Sequence, residues 1–139
     1  MKVVIVKYNA GNIRSVLFAL ERIGVEAVVT DDHDVIRSAD RVIFPGVGEA
    51  SSAMKYLKEK GLDKLIASLT QPVLGICLGM QLMCSFSEEN NTECLGIFAE
   101  KVKRFPDNAG LKVPQIGWNN VTQLRTKLFE GVLENAYMY

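Results

Sequence analysis

Cys77 lies in the pentapeptide Gly75-Ile76-Cys77-Leu78-Gly79, which follows the apolar run Pro72-Val73-Leu74 and opens a segment with helical apolar spacing. A Gly-x-nucleophile-x-Gly turn between a strand and a helix is the sequence form of a nucleophile elbow. The two glycines permit a sharp turn and keep side chains clear of the sulfur. Such a turn lifts the thiol above the sheet and sets it at a helix N-terminus, where the dipole and unpaired N–H groups favour a thiolate. The N–H of Leu78 then becomes a donor to an oxyanion formed by attack on a carbonyl carbon.

A second loop fits this chemistry. Pro45-Gly46-Val47-Gly48 closes the apolar run Arg41-Val42-Ile43-Phe44. Its glycines let backbone N–H groups face a ligand without obstruction. The Val47 or Gly48 N–H could pair with that of Leu78 to complete an oxyanion hole. Gly46, Gly48 and Gly79 would border the substrate. Gln81, one helical turn after Cys77, could hydrogen-bond a polar substrate from the same face. Neither a Gly-x-Gly-x-x-Gly motif nor a Walker lysine is present, which argues against a nucleotide site.

A thiolate nucleophile usually needs a base and a carboxylate that orients the base. The only histidine, His33, stands in the polar run Asp31-Asp32-His33-Asp34. It reads as a solvated turn residue rather than the base. Cys84, two turns beyond Cys77 among leucines and methionines, reads as core filler. Cys94 falls in a loop-like stretch, and Trp118 reads as a core residue.

The elements that must position these residues follow from apolar patterning. Residues 3–6, 25–29, 41–44 and 73–76 read as buried strands. Ile13, Val16, Leu17, Leu20 and Ile23 recur at helical spacing. Helices are also expected over residues 51–60, 62–69 and 78–86, and strands over 98–105 and 113–121. Strand–helix alternation with near-continuous apolar strands predicts a mostly parallel open α/β sheet with helices on both faces. Such sheets carry their sites at the carboxyl ends of the strands. Three loops meet that rule: 8–12, 45–48 and 75–79.

At 139 residues the chain suits one domain, 1–139. Its 16 acidic and 16 basic residues balance, without a basic cluster, so nucleic acid is not an expected partner. Apolar runs are too short for a membrane span or a signal-peptide core. Three cysteines without a Cys-x-x-Cys pair argue against a disulfide framework or zinc site and fit a reducing cytoplasm.

Together these residues resemble the class I glutamine amidotransferases, whose fold is flavodoxin-like. Gly75-Ile76-Cys77-Leu78-Gly79-Met80-Gln81 is similar to the nucleophile motif of the class, and Phe44-Pro45-Gly46-Val47-Gly48 to its oxyanion loop. Within the class the chain is most similar to glutaminase subunits of imidazole glycerol phosphate synthase. That likeness rests on Gly11-Asn12-Ile13-Arg14-Ser15-Val16, Pro114 and Gly117-Trp118-Asn119. Gln115-Ile116 stands where the family usually has His-Met. The resemblance implies hydrolysis of glutamine to glutamate and ammonia without a metal or organic cofactor. Cys77 would be the nucleophile, and Val47 and Leu78 the oxyanion donors. The ammonia would pass to a cyclase subunit, the partner in a heterodimer, with Asn12 at the interface. That partner makes imidazole glycerol phosphate and an aminoimidazole ribonucleotide.

The family's catalytic His and Glu follow a strand resembling residues 136–139. The chain is therefore expected to be C-terminally incomplete, without glutaminase turnover alone and prone to self-association. The alternative expectation is an inert relative acting as a binding or regulatory subunit.

Overall fold

The computed structural model describes residues 1–9, 11–106, 110, 113–114 and 116–138. These fall into two compact units, Met1–Arg104 and Phe105–Tyr139.

The first unit is built on four parallel strands: β1 (Val3–Val6), β2 (Ala27–Thr30), β3 (Arg41–Phe44) and β4 (Val73–Gly75), in the order β2-β1-β3-β4. Val4 of β1 sits between Val28 and Val42, which fixes the register. All four β1 side chains are buried. Such a strand has no polar face and must be covered on both sides. Helix α1 (Ile13–Arg22) covers one face, packing Ile13, Val16, Leu17 and Leu20 around Val3, Ile5 and Ile43. On the other face, α2 (His33–Arg37), α3 (Ala50–Glu59), α4 (Leu62–Ala67) and α5 (Leu78–Met83) bury Ile36, Leu57, Leu65 and Leu82 against Val4, Val6 and Phe44. Each fully buried Leu or Ile contributes roughly 1.5–3 kcal/mol of transfer free energy. The expected parallel α/β sheet with helices on both faces is therefore present.

Several boundaries differ from the sequence reading. The run from Asp31 to Asp34 is not merely a turn. Asp32 caps α2, its carboxylate accepting from the N–H groups of Asp34 and Val35 at 2.9 Å. The helix expected to run to residue 86 ends at Met83. The chain then forms β5 (Phe86–Ser87), a 3-10 turn over Glu89–Asn91, and β6 (Thr92–Glu93), which pairs antiparallel with β5. The strand expected over 98–105 shrinks to β7 (Lys101–Val102), parallel to β5.

In the second unit, β8 (Asn119–Asn120) pairs antiparallel with β9 (Tyr137–Met138). The Gln123 N–H donates to Glu134 Oε1 at 2.6 Å, tying together the segment between the strands. The strand expected over 113–121 is limited, among the described residues, to Asn119–Asn120, and Gln115 of that stretch lies outside the described residues, as do Ala10 and Tyr139. Trp118 is not a core residue: it is 69% exposed.

The tightest packing in the first unit is at Gly79. A β-carbon there would collide with the Phe44 carbonyl and lie 3.0 Å from that of Pro45. The obstacle is backbone, which cannot swing aside as a flexible side chain would. Gly79→Ala is expected to lower the Tm by roughly 5–20 °C, given a typical overpacking cost of about 1–3 kcal/mol in a unit of this size. Calorimetry checks this, and an unchanged Tm would contradict the contact.

Candidate active site

Strand β4 delivers Cys77. The Ile76 N–H donates to the Phe44 carbonyl at 3.0 Å, prolonging the β3–β4 ladder by one residue. The chain then reverses. Cys77 adopts φ 54° and ψ −118°, and α5 starts at the next residue. A non-glycine residue at such angles stores strain of order 1–3 kcal/mol, held here by the packing on either side. Gly79 N–H bonds to the Ile76 carbonyl and Gln81 N–H to that of Cys77, both at 3.0 Å. As the first residue of α5, Leu78 has no acceptor within the helix for its N–H. This is the elbow that the glycine spacing predicts.

Cys77 is exposed, whereas Cys84 and Cys94 are half-buried. Burial pushes both of those thiols above the ordinary cysteine range. The negative charge of Glu100 adds to the effect at Cys84, and that of Cys84 adds to it at Cys94. Cys84 Sγ lies 3.9 Å from the Met80 carbonyl, a structural role in keeping with its expected reading as core filler.

A cleft of about 690 Å³ opens at Cys77, lined by Gly48, Leu78, Gln81, Ser87, Glu89 and Arg104 among others. It brings together three elements separated in sequence: the loop after β3, the first turn of α5 and the β5–β7 region. Glu88, Glu89, Lys103 and Arg104 give it both signs of charge. Sequence reasoning missed these four. Charges a short turn beyond an elbow helix were a usable signal for the Glu88-Glu89 pair. The Arg104 N–H donates to Glu88 Oε2 at 2.8 Å, closing that wall of the cleft.

A second, apolar cavity of about 420 Å³ also reaches Cys77, with Asn12, Val16, Ile43, Val47, Leu74 and Ile76 among its lining residues. Gly46 lines it too. Of the residues predicted from sequence, Leu78, Gly48 and Gln81 therefore meet Cys77 in the charged cleft, and Asn12, Gly46 and Val47 meet it in the apolar cavity. Gly79 lines neither of the two, being buried against β3. Asn12 caps α1, accepting from the Ser15 N–H at 3.4 Å. His33 lies apart, its Nε2 3.0 Å from the Lys60 carbonyl at the end of α3. Among the described residues no group of histidines, cysteines and carboxylates could hold a metal ion, and no helix is long and apolar enough to cross a membrane.

The loop between β3 and α3 is pinned at both ends. Upstream, the buried Tyr8 hydroxyl donates to the Pro45 carbonyl at 2.6 Å. Downstream, Glu49 caps α3, its two carboxylate oxygens accepting from the N–H groups of Ser51 and Ser52 at 2.7 and 2.8 Å. Glu89 Oε2 accepts from the Ala50 N–H at 2.7 Å, and Asn90 Nδ2 donates to Glu49 Oε1 at 2.9 Å. Between the anchors, Val47 is half-exposed and Gly48 adopts φ +115°, a conformation that favours glycine.

The model of the class-I glutamine amidotransferase family matches residues 4–138, through both units. The chain belongs to the class-I glutamine amidotransferases. Its relatives include the imidazole glycerol phosphate synthase subunit HisH of Bacteroides fragilis, 60% identical over 140 aligned residues that cover all of this chain and 71% of the relative. The HisH subunit of Bacteroides thetaiotaomicron is 59% identical with the same coverage, and that of Haemophilus influenzae is 46% identical, covering all of this chain and 70% of the relative. The amidotransferase motifs read from sequence are those that meet at the two cavities.

Two predictions follow from this geometry. Iodoacetamide should modify Cys77 faster than Cys84 or Cys94 in the folded protein, as read by peptide mass spectrometry; equal or reversed rates would contradict an accessible nucleophile. The Glu49 carboxyl is held down at about 2 by hydrogen bonds from the Ser51 side chain and from the Ser52 and Ser51 N–H groups. Its folded-state value lies below the unfolded one, so the stabilisation is full above about pH 4.5 and is lost as the pH falls toward 2. The Tm difference between wild type and Glu49→Gln should be present at pH 7 and shrink through that window. A difference independent of pH would contradict the cap.

Proposed function

We propose that this chain is the glutaminase part of an imidazole glycerol phosphate synthase, releasing ammonia from glutamine for a cyclase partner. The observation that carries the reading is Cys77 exposed on a strained elbow at the floor of a cleft bearing both signs of charge, in a chain whose relatives are named as that synthase's HisH subunit. A free amino acid carries an ammonium and a carboxylate, and Glu88, Glu89, Lys103 and Arg104 offer the complementary charges. Gln81 and Gly48 border the cleft in which the side-chain amide approaches the sulfur, and Gly46 stands on the apolar side of Cys77.

Cys77 attacks the amide carbon, the carbonyl oxygen becomes an oxyanion, and the N–H groups of Leu78 and Val47 receive it. Collapse breaks the C–N bond, the proton given up by the Cys77 thiol passes to the leaving nitrogen so that ammonia departs, and water hydrolyses the resulting thioester to glutamate and the free thiol. The apolar cavity with Asn12 at its rim offers ammonia a way out on the side of α1, and Asn12 marks the edge of the surface that docks the cyclase. His33 takes no part, because its ring is engaged at the end of α3. Both units are read as parts of one amidotransferase domain, a reading supported by a family match that spans residues 4–138. The free thiols fit a cytoplasmic setting.

The test uses the native protein assembled with its cyclase. Cys77→Ala should lower glutamate release by about a thousandfold or more, as expected when one member of a catalytic unit is removed. Synthase activity with added ammonia should survive. His33→Ala should leave glutamate release unchanged. Retained glutaminase activity in Cys77→Ala, or its loss in His33→Ala, would contradict the assignment.

A further inference from the structure

Among the described residues Tyr8 is the one buried phenol next to the site, and the mechanism above leaves its hydroxyl without a role. It stands just after β1, 6% exposed, with its ring tilted 39° on Phe44 at 5.3 Å between centroids. Packing alone would be served equally well by phenylalanine. The hydroxyl instead reaches a backbone carbonyl 37 positions away, that of Pro45, at 2.6 Å. We infer that Tyr8 is a positioning residue for glutamine hydrolysis: by donating to the Pro45 carbonyl, it holds the Pro45–Gly46 peptide in the orientation from which the following loop presents its N–H groups to Cys77.

Three observations converge on that peptide. A trans peptide is planar, so fixing its oxygen also fixes the direction of the Gly46 N–H. Rotating the plane would strip a buried phenol of its acceptor. Gly46 itself is walled in: a β-carbon there would lie 2.6 Å from the Tyr8 hydroxyl, 2.6 Å from the Gly79 nitrogen and 2.8 Å from the Leu78 β-carbon. The hydroxyl and the first turn of α5 thus grip the residue from which Val47 and Gly48 depart. Downstream, the Glu49 cap holds the other end of the loop. Only Gly46, Val47 and Gly48 remain between the anchors, so the upstream peptide sets where their N–H groups can point. Burial, and secondarily the negative charge of Cys77, push the Tyr8 phenol above its ordinary range, which keeps the donor protonated at every working pH.

The inference rests on the assignment of the loop to the oxyanion side of Cys77, and the test separates the two. Glutamine hydrolysis is measured for the native protein in complex with its cyclase. Tyr8→Phe keeps the ring and removes the donor. The kcat should fall about tenfold, the scale of one net hydrogen bond lost from the transition state. KM should stay within about twofold, and Cys77 should alkylate at the wild-type rate. Tyr8→4-aminophenylalanine restores a donor at the same place and should recover most of the kcat. Leu62→Val, in the buried core of α4, should lower the Tm without lowering kcat, so that stability loss alone does not imitate the effect. A kcat of Tyr8→Phe within threefold of wild type overturns the inference. So does a loss carried by KM, or a loss that the amino variant fails to recover. If Tyr8→Phe does not fold, the amino variant decides: near-wild-type kcat supports the donor role, and a tenfold loss in a folded protein refutes it. Cys77→Ala is run alongside. If it keeps glutamate release, the site reading has failed; if it abolishes release while Tyr8→Phe matches wild type, only the Tyr8 role has failed.

Discussion

The approach of Gly79 to the Phe44 carbonyl is the constraint on which the site depends. No side chain fits between the first turn of α5 and the end of β3. Their backbones can therefore lie against each other, and that contact decides where Cys77 stands. The elbow must turn within a single residue to let α5 return over the sheet, and the strained angles at Cys77 are the consequence. Gly75 meets the same demand from below, since a β-carbon there would lie 2.7 Å from the Met80 α-carbon. Two glycines flank the nucleophile because each touches backbone.

The same contact organises the loop after β3. Pro45 and Gly46 leave the strand where α5 begins, so the loop is carried to the side of the thiol rather than away from it. Its anchors differ in kind. Upstream is a neutral, buried hydrogen bond from Tyr8. Downstream is a carboxylate cap, reinforced by Glu89 and Asn90 from the segment that walls the cleft. Cleft wall and loop are thus tied through the start of α3. Glu89, which lines the cleft, is bonded to the start of α3 at the downstream end of the loop.

How much of this was legible in the sequence follows from the range of each interaction. The elbow, the glycine loop and the four sheet strands were readable, because each is written in consecutive residues with a fixed glycine or apolar pattern. Asp32 was misread because a short helix of five residues gives too little periodicity to outweigh an Asp-rich turn signal. The strands expected over 98–105 and 113–121 contract to two-residue pairs, because alternation alone does not say whether a neighbouring strand exists to pair with. Trp118 was taken for core on its size, which says nothing of what the rest of the chain brings against it. The Tyr8–Pro45 bond and the Glu89–Ala50 bond span 37 and 39 positions, and no local pattern announces a side chain that satisfies a distant backbone group. Gly79 was read as a substrate contact because it belongs to the elbow motif, whereas its buried place against β3 is a packing requirement.

The central claim is that Cys77 is a nucleophile aimed at the side-chain carbonyl of glutamine held in the charged cleft. The most direct measurement is covalent capture by a glutamine analogue bearing a chloroketone in place of the carboxamide, followed by peptide mapping with and without competing glutamine. The account predicts a single adduct on Cys77, formed far faster than with a chloroketone lacking the amino-acid ends and slowed by free glutamine in a saturable way. An adduct on Cys84 or Cys94, or labelling of Cys77 indifferent both to those ends and to glutamine, would contradict it.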